Sequence, residues 1–76
     1  MVLRMTWNNR IVHMTEGGAD YYEICEVFYD DDGTPGGYTK VGDLASDEPG
    51  DIKGLVELIY RDIIERDMPI LESEDL

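Results

Sequence analysis

Basic residues are scarce in this chain. Six Lys and Arg stand against 18 Asp and Glu over 76 residues, a formal net charge of −12. That balance excludes ordinary nucleic-acid and anionic-membrane binding, because counterion-release binding needs clustered Lys and Arg. Cysteine is reduced to Cys25, so no internal disulfide can form and nothing points to secretion. No apolar run approaches the roughly 20 residues that cross a bilayer. Met1–Met5 also lacks the apolar core of a signal peptide. A soluble, cytoplasmic protein is the expectation.

Catalytic and metal-binding residue types are equally thin. The lone His13 with Cys25 falls short of a zinc site, which takes about four ligands. His13 reads instead as a strand residue near a carboxylate, and Cys25 as a small buried hydrophobe. Asp30-Asp31-Asp32-Gly33 resembles the start of a calcium loop, but its glycine comes too early and no Glu closes it. The only serines, Ser46 and Ser73, have no positioned base. No glycine-rich loop opens a helix as a phosphate cradle would. Neither an enzyme activity nor a cofactor or metal is expected.

What is present is enough for one small domain over residues 1–76, with 42% apolar residues and seven aromatics arguing against disorder. Residues 6–15 are rich in β-formers and read as a first strand, and residues 21–29 (YYEICEVFY) give the strongest strand signal. A short third strand spans 37–41, after a turn in which Pro35 cannot donate to a ladder. Ile52, Leu55, Val56, Ile59 and Ile63 recur at helical spacing, predicting an amphipathic helix over about 49–66 that packs on the sheet. Gly54, costly in a helix, reads as a point of close backbone approach. Pro69 stops the helix. Ile70 and Leu71 then dock on the core before an acidic tail, 72–76, that frays. The predicted fold is α+β, a three-stranded antiparallel sheet packed by one C-terminal helix in the order β-β-β-α.

Turns at 16–20 and 30–36 set two registers, which place Arg10 and Lys40 on either side of Glu26. They also put Trp7, Ile11, Cys25, Val27, Tyr29 and Val41 on the face that meets the helix. Val12, Tyr22, Ile24, Phe28 and Tyr38 fall on the other, uncovered face.

The negative charge is segregated. Glu16–Asp32 carries seven acids, Asp43–Asp51 four and Asp67–Leu76 four, all without a base, while Ile52–Arg66 is neutral. The neutral segment offers Glu57–Arg61 and Asp62–Arg66 as i, i+4 pairs. The unpaired carboxylates therefore belong to the turns, the helix entrance and the tail.

Two spaced motifs carry a resemblance. Thr6-Trp7-Asn8-Asn9-Arg10-Ile11-Val12 and Glu26-Val27-Phe28-Tyr29-Asp30-Asp31-Asp32-Gly33-Thr34-Pro35 resemble those of a family of small bacterial and phage proteins of unassigned function. Asn9 replaces that family's usual Tyr, and Gly36-Gly37-Tyr38 departs from its longer Trp-bearing strand. The resemblance implies the same strand–helix order and no activity. In size, acidity and plan the chain is also similar in type to phage-encoded anti-CRISPR proteins that mimic DNA.

A duplex carries one negative charge per about 1.7 Å, and clustered carboxylates can fill the Lys and Arg groove it would occupy. The expected function is a non-catalytic inhibitor acting in the bacterial host cell. It blocks the basic nucleic-acid-binding site of a CRISPR surveillance complex, an effector subunit being the partner. Glu16, Asp20, Asp30, Asp31, Asp32, Asp47, Glu48 and Asp51 act as phosphate surrogates. The alternative is a protein–protein interaction module or homodimer using Tyr22, Ile24, Phe28 and Tyr38.

Overall fold

A computed structural model describes residues 6–42 and 44–76, with Glu16 through its backbone alone. Strands β1 (Trp7–Met14), β2 (Tyr21–Tyr29) and β3 (Pro35–Lys40) form an antiparallel meander. Helix α1 (Pro49–Tyr60) follows, and a two-residue strand β4 (Leu71–Glu72) pairs with β1 in parallel. The sheet is therefore a curled, mixed one of four strands, ordered β3-β2-β1-β4, within an α+β fold. The fourth strand exists because the end of the chain has partners. Leu71 and Leu76 pack on the core, and Glu72 meets His13. The segment expected to fray is instead β4 followed by a 3-10 turn, Ser73–Asp75.

Both hairpin registers differ from the sequence expectation by one residue. Met14 pairs with Tyr21, so Thr15 belongs to the first turn, where Gly17 and Gly18 take positive φ. In the second hairpin Pro35 is already the first residue of β3, a position where its missing N–H is tolerated. A bulge between Phe28 and Tyr29 absorbs the irregularity.

Because side chains alternate, a one-residue slip exchanges the faces of a strand. Arg10 and Lys40 both face Cys25, and Glu26 faces Asn9 and Thr39. The expected Arg10–Glu26–Lys40 row does not form.

The buried core is small: Val12, Met14, Cys25 and Val27, flanked by Tyr29, Tyr38, Leu71 and Leu76. Val12 and Tyr38 thus sit on the inner face, contrary to expectation, while Trp7, Ile11 and Val41 share the other face with Tyr22, Ile24 and Phe28. At the edge of the core, Arg10 is buried, donating from Nη1 to the Tyr29 hydroxyl at 2.8 Å and from Nη2 to the Pro69 carbonyl. Tyr29 in turn donates to Asn8 Oδ1 at 2.6 Å.

The helical segment continues past α1 as a π-helical stretch, Arg61–Glu65, closed by the Arg66 amide donating to the Arg61 carbonyl at 3.0 Å. Asp67 at φ 46° ends it, two residues ahead of Pro69. None of the apolar stripe of α1 is buried. The anchoring side chain is Asp62, whose Oδ2 accepts from the Asn9 amide at 3.0 Å and from Asn9 Nδ2 at 3.1 Å. Arg66 and Arg61 lie 3.6 and 3.7 Å from Asp62 Oδ1, so Arg61 reaches Asp62 and not the expected Glu57. Gly54 has open space where a Cβ would stand, so no close approach explains it.

Candidate functional site

The predicted acidic residues separate into groups set by the hairpins. Asp30, Asp31 and Asp32 form the β2–β3 turn, all exposed. Asp32 Oδ1 accepts from the Thr34 amide at 2.9 Å, an Asx-type bond that fixes the turn. That backbone bond, and then the Thr34 hydroxyl, hold the Asp32 carboxyl below the usual carboxylate range. Asp20 lies at the opposite end of the nine-residue β2, ten residues from Asp30, or about 33 Å at ~3.3 Å per residue. The Glu16 side chain lies outside the described residues. Asp47, Glu48 and Asp51 form an exposed group leading into α1. There Ser46 Oγ accepts from the Glu48 amide at 3.2 Å and donates to Asp51 Oδ2 at 3.1 Å. Asp51, in the first turn, also faces the positive end of the helix dipole.

Lys53 follows Asp51 by two residues in α1, and four other described bases go elsewhere. Lys40 Nζ lies 3.6 Å from Glu23, Arg61 and Arg66 flank Asp62, and Arg10 is enclosed by Tyr29 and Pro69. Among the described residues, no base lies within ion-pair distance of Asp30, Asp31, Asp32, Asp47, Glu48 or Asp51. Asp20 differs, since it pairs with His13 Nε2, while Nδ1 of the same ring meets Glu72 Oε2 at 2.7 Å. The His13 ring stacks on Tyr22 with centroids 4.9 Å apart. Hydrogen bonds to Asp20 and then Glu72 raise the His13 pKa above its ordinary value. These carboxylates occupy opposite nitrogens of one ring, so the trio cannot close on a single ion. Among the described residues no His, Cys, Asp or Glu cluster has a metal-holding arrangement.

The aromatic set fares differently. Tyr22, Ile24 and Phe28 alternate along β2 onto one face and are 63%, 37% and 41% exposed. Trp7, opposite Phe28, joins them at 40%. Tyr38 is removed from the set, because it pairs with Val27 and packs against the core. At the other end of this face, Tyr22, Ile24, Val41, Leu44 and Ile59, with Glu23 and Gly42, line an open groove of about 290 Å³ between the sheet and α1. Leu44 is the residue that sequence reasoning passed over. Its signal was a single large apolar side chain in an otherwise polar loop, Gly42–Glu48.

Glu26 was also misjudged. It lies on this exposed face between Ile24 and Phe28, opposite Asn9 and Thr39 and not Arg10 and Lys40. The arrangement offers apolar contact area beside unneutralised carboxylates. No helix among the described residues is long and apolar enough to cross a membrane. No family model, curated protein or solved structure matches the chain.

Proposed function

We propose that this protein is a non-catalytic binding protein whose exposed carboxylates occupy a basic, nucleic-acid-binding site on a partner protein. The observation that carries the reading is the placement of charge. Asp30–Asp32 at one end of the sheet and Asp47, Glu48 and Asp51 at the entrance and first turn of α1 are exposed, while Lys40, Arg61 and Arg66 lie beside Glu23 and Asp62. The concrete form is a DNA mimic of the anti-CRISPR type directed at a CRISPR surveillance complex.

Two charge-reversal variants test it, Asp30, Asp31 and Asp32 each to Lys together, and Asp47 and Glu48 each to Lys. Both are compared with the parent in pull-downs from host lysate at low and high salt. Capture of a DNA-displaceable protein should be lost in both variants and weakened steeply by salt. Capture unchanged by either set of reversals refutes mimicry.

A second reading is favoured by the exposure of Tyr22, Ile24 and Phe28 beside Trp7. This face is larger than the scattered single apolar residues of an ordinary monomer surface, and it suits a protein partner or a second copy. Salt-insensitive association lost on Phe28→Ser would support that reading over the first.

A further inference from the structure

We infer that the groove between β2, the segment that follows β3 and α1 receives a basic amphipathic segment of the partner, whose apolar side chains seat there while its Lys or Arg residues meet the surrounding carboxylates. The inference rests on the proposal that the acidic surface meets a basic protein, and it names the part of that protein that docks.

Three features carry it. The first is the groove itself. Its walls are mostly apolar, with Glu23 and Gly42 beside Tyr22, Ile24, Val41, Leu44 and Ile59; Tyr22 and Leu44 are 63% and 44% exposed, and the volume of about 290 Å³ lies just below the roughly 300–1,000 Å³ of small-molecule sites. It suits individual side chains of a larger ligand. Val41 continues the β2–β3 ladder by donating to the Ile24 carbonyl at 3.3 Å, which fixes both on the groove side.

The second is the charge around it. Glu26 follows Ile24 on the same face, about 7 Å along the strand, and faces only Asn9 and Thr39. Glu23 lines the groove, 3.6 Å from Lys40, and Leu44 precedes Asp47 and Glu48 by three and four residues. The rim is thus anionic on both the strand side and the loop side.

The third is what this charge excludes. A second copy would bring a formal charge of −12 against −12 and set Glu26 beside an equally anionic rim. A partner that is both apolar and cationic satisfies both components at once.

The test uses the ¹⁵N-labelled full chain and three synthetic 18-residue peptides of one amphipathic pattern: Leu/Lys, Ser/Lys of equal charge, and Leu/Glu. The Leu/Lys peptide should move the amide signals of Tyr22, Ile24, Val41, Leu44 and Ile59. Its Kd should rise about tenfold in Leu44→Ser, the loss expected for withdrawing one aliphatic contact. Tyr22→Ser, at a more exposed site, gives an independent check if Leu44→Ser perturbs the fold. Equal affinity for Ser/Lys, with shifts confined to the acidic turns, overturns the groove inference and leaves the acidic-surface proposal standing. Failure of both Lys peptides to bind overturns both. Equal binding of Leu/Glu removes the role of charge. A concentration-dependent dimer whose shifts map to the groove assigns it to a second copy and also overturns the inference.

Discussion

Asp62→Ala is the substitution whose consequence the structure defines most closely. The side chain is 2% exposed, and its Oδ2 accepts both the Asn9 amide and Asn9 Nδ2. Removing it orphans two donors at the edge of β1, beyond the reach of the two-residue β4, at about 1–3 kcal/mol each. Arg61 and Arg66 simultaneously lose their carboxylate, but both are partly exposed and turn to water, so their share is small. The expected total is about 3–5 kcal/mol, the range for breaking a buried charged contact. A domain of this length has roughly 4–11 kcal/mol to lose. The variant should therefore lose a large share of its stability, and at the low end of that range it would be unfolded at room temperature.

Asp62→Asn retains one acceptor oxygen for Asn9 and should cost about half as much. Urea unfolding followed by far-UV circular dichroism and Trp7 fluorescence measures both variants. A loss below about 1 kcal/mol for Asp62→Ala would show that the helical segment is not anchored through Asn9.

Three further outcomes follow from individual contacts. The His13 pKa is raised by Asp20 and Glu72, so its contribution to stability is fully present below the unfolded value, about 6.5, and is lost as pH rises through the higher folded value. The urea midpoint should fall across that window in the parent and stay flat in His13→Gln, and a parent midpoint that rises there would contradict the assignment. The Asp32 carboxyl is held low by the Thr34 amide, so its contribution is present above the ordinary carboxylate pKa and disappears on acidification through the folded value. A ¹³C titration placing Asp32 at or above the ordinary carboxylate value would be inconsistent with the turn geometry. Gly54 sits mid-helix with open space at its Cβ position, so Gly54→Ala should stabilise the protein by about 0.5–1 kcal/mol in the same urea assay.

Local chemistry was legible in the sequence wherever the cause lay within a few residues. The β-branched and aromatic density of Tyr21–Tyr29, the glycines at 17 and 18, the acidic turn before Gly33 and the stop ahead of Pro69 all appear where the composition places them. Burial of Cys25 and the carboxylate beside His13 were legible as well. Register was not, because it depends on whether Thr15 and Pro35 count with turn or strand, and residue type alone leaves both open. β4 was hidden for a different reason. A two-residue parallel strand has no periodicity, and its position depends on contacts of Glu72 and Leu71 with elements some 59 residues earlier in the chain. Asp62 reads from sequence as one more surface acid in an i, i+4 pair, and only its distance to Asn9 reveals an anchor.

That single-residue difference in register alters the functional argument as well as the fold. With Glu26 opposite Arg10 and Lys40, the centre of the sheet would be neutral and the acidity confined to its margins. In the observed pairing, Arg10 is drawn into the Tyr29–Pro69 network and Lys40 lies beside Glu23. Glu26 is left between Ile24 and Phe28, and among the described residues no base lies within ion-pair distance of it. A carboxylate flanked by exposed apolar side chains is poorly used in the isolated protein, since it interrupts an apolar face without neutralising anything. It becomes useful when a cation arrives with the apolar surface that covers its neighbours. Glu26→Gln should consequently leave the urea midpoint within about 0.5 kcal/mol of the parent, as for a half-exposed surface change, yet weaken the Leu/Lys peptide several-fold. Unchanged peptide affinity in Glu26→Gln would return the sheet face to a purely apolar role and leave charge recognition to the turns.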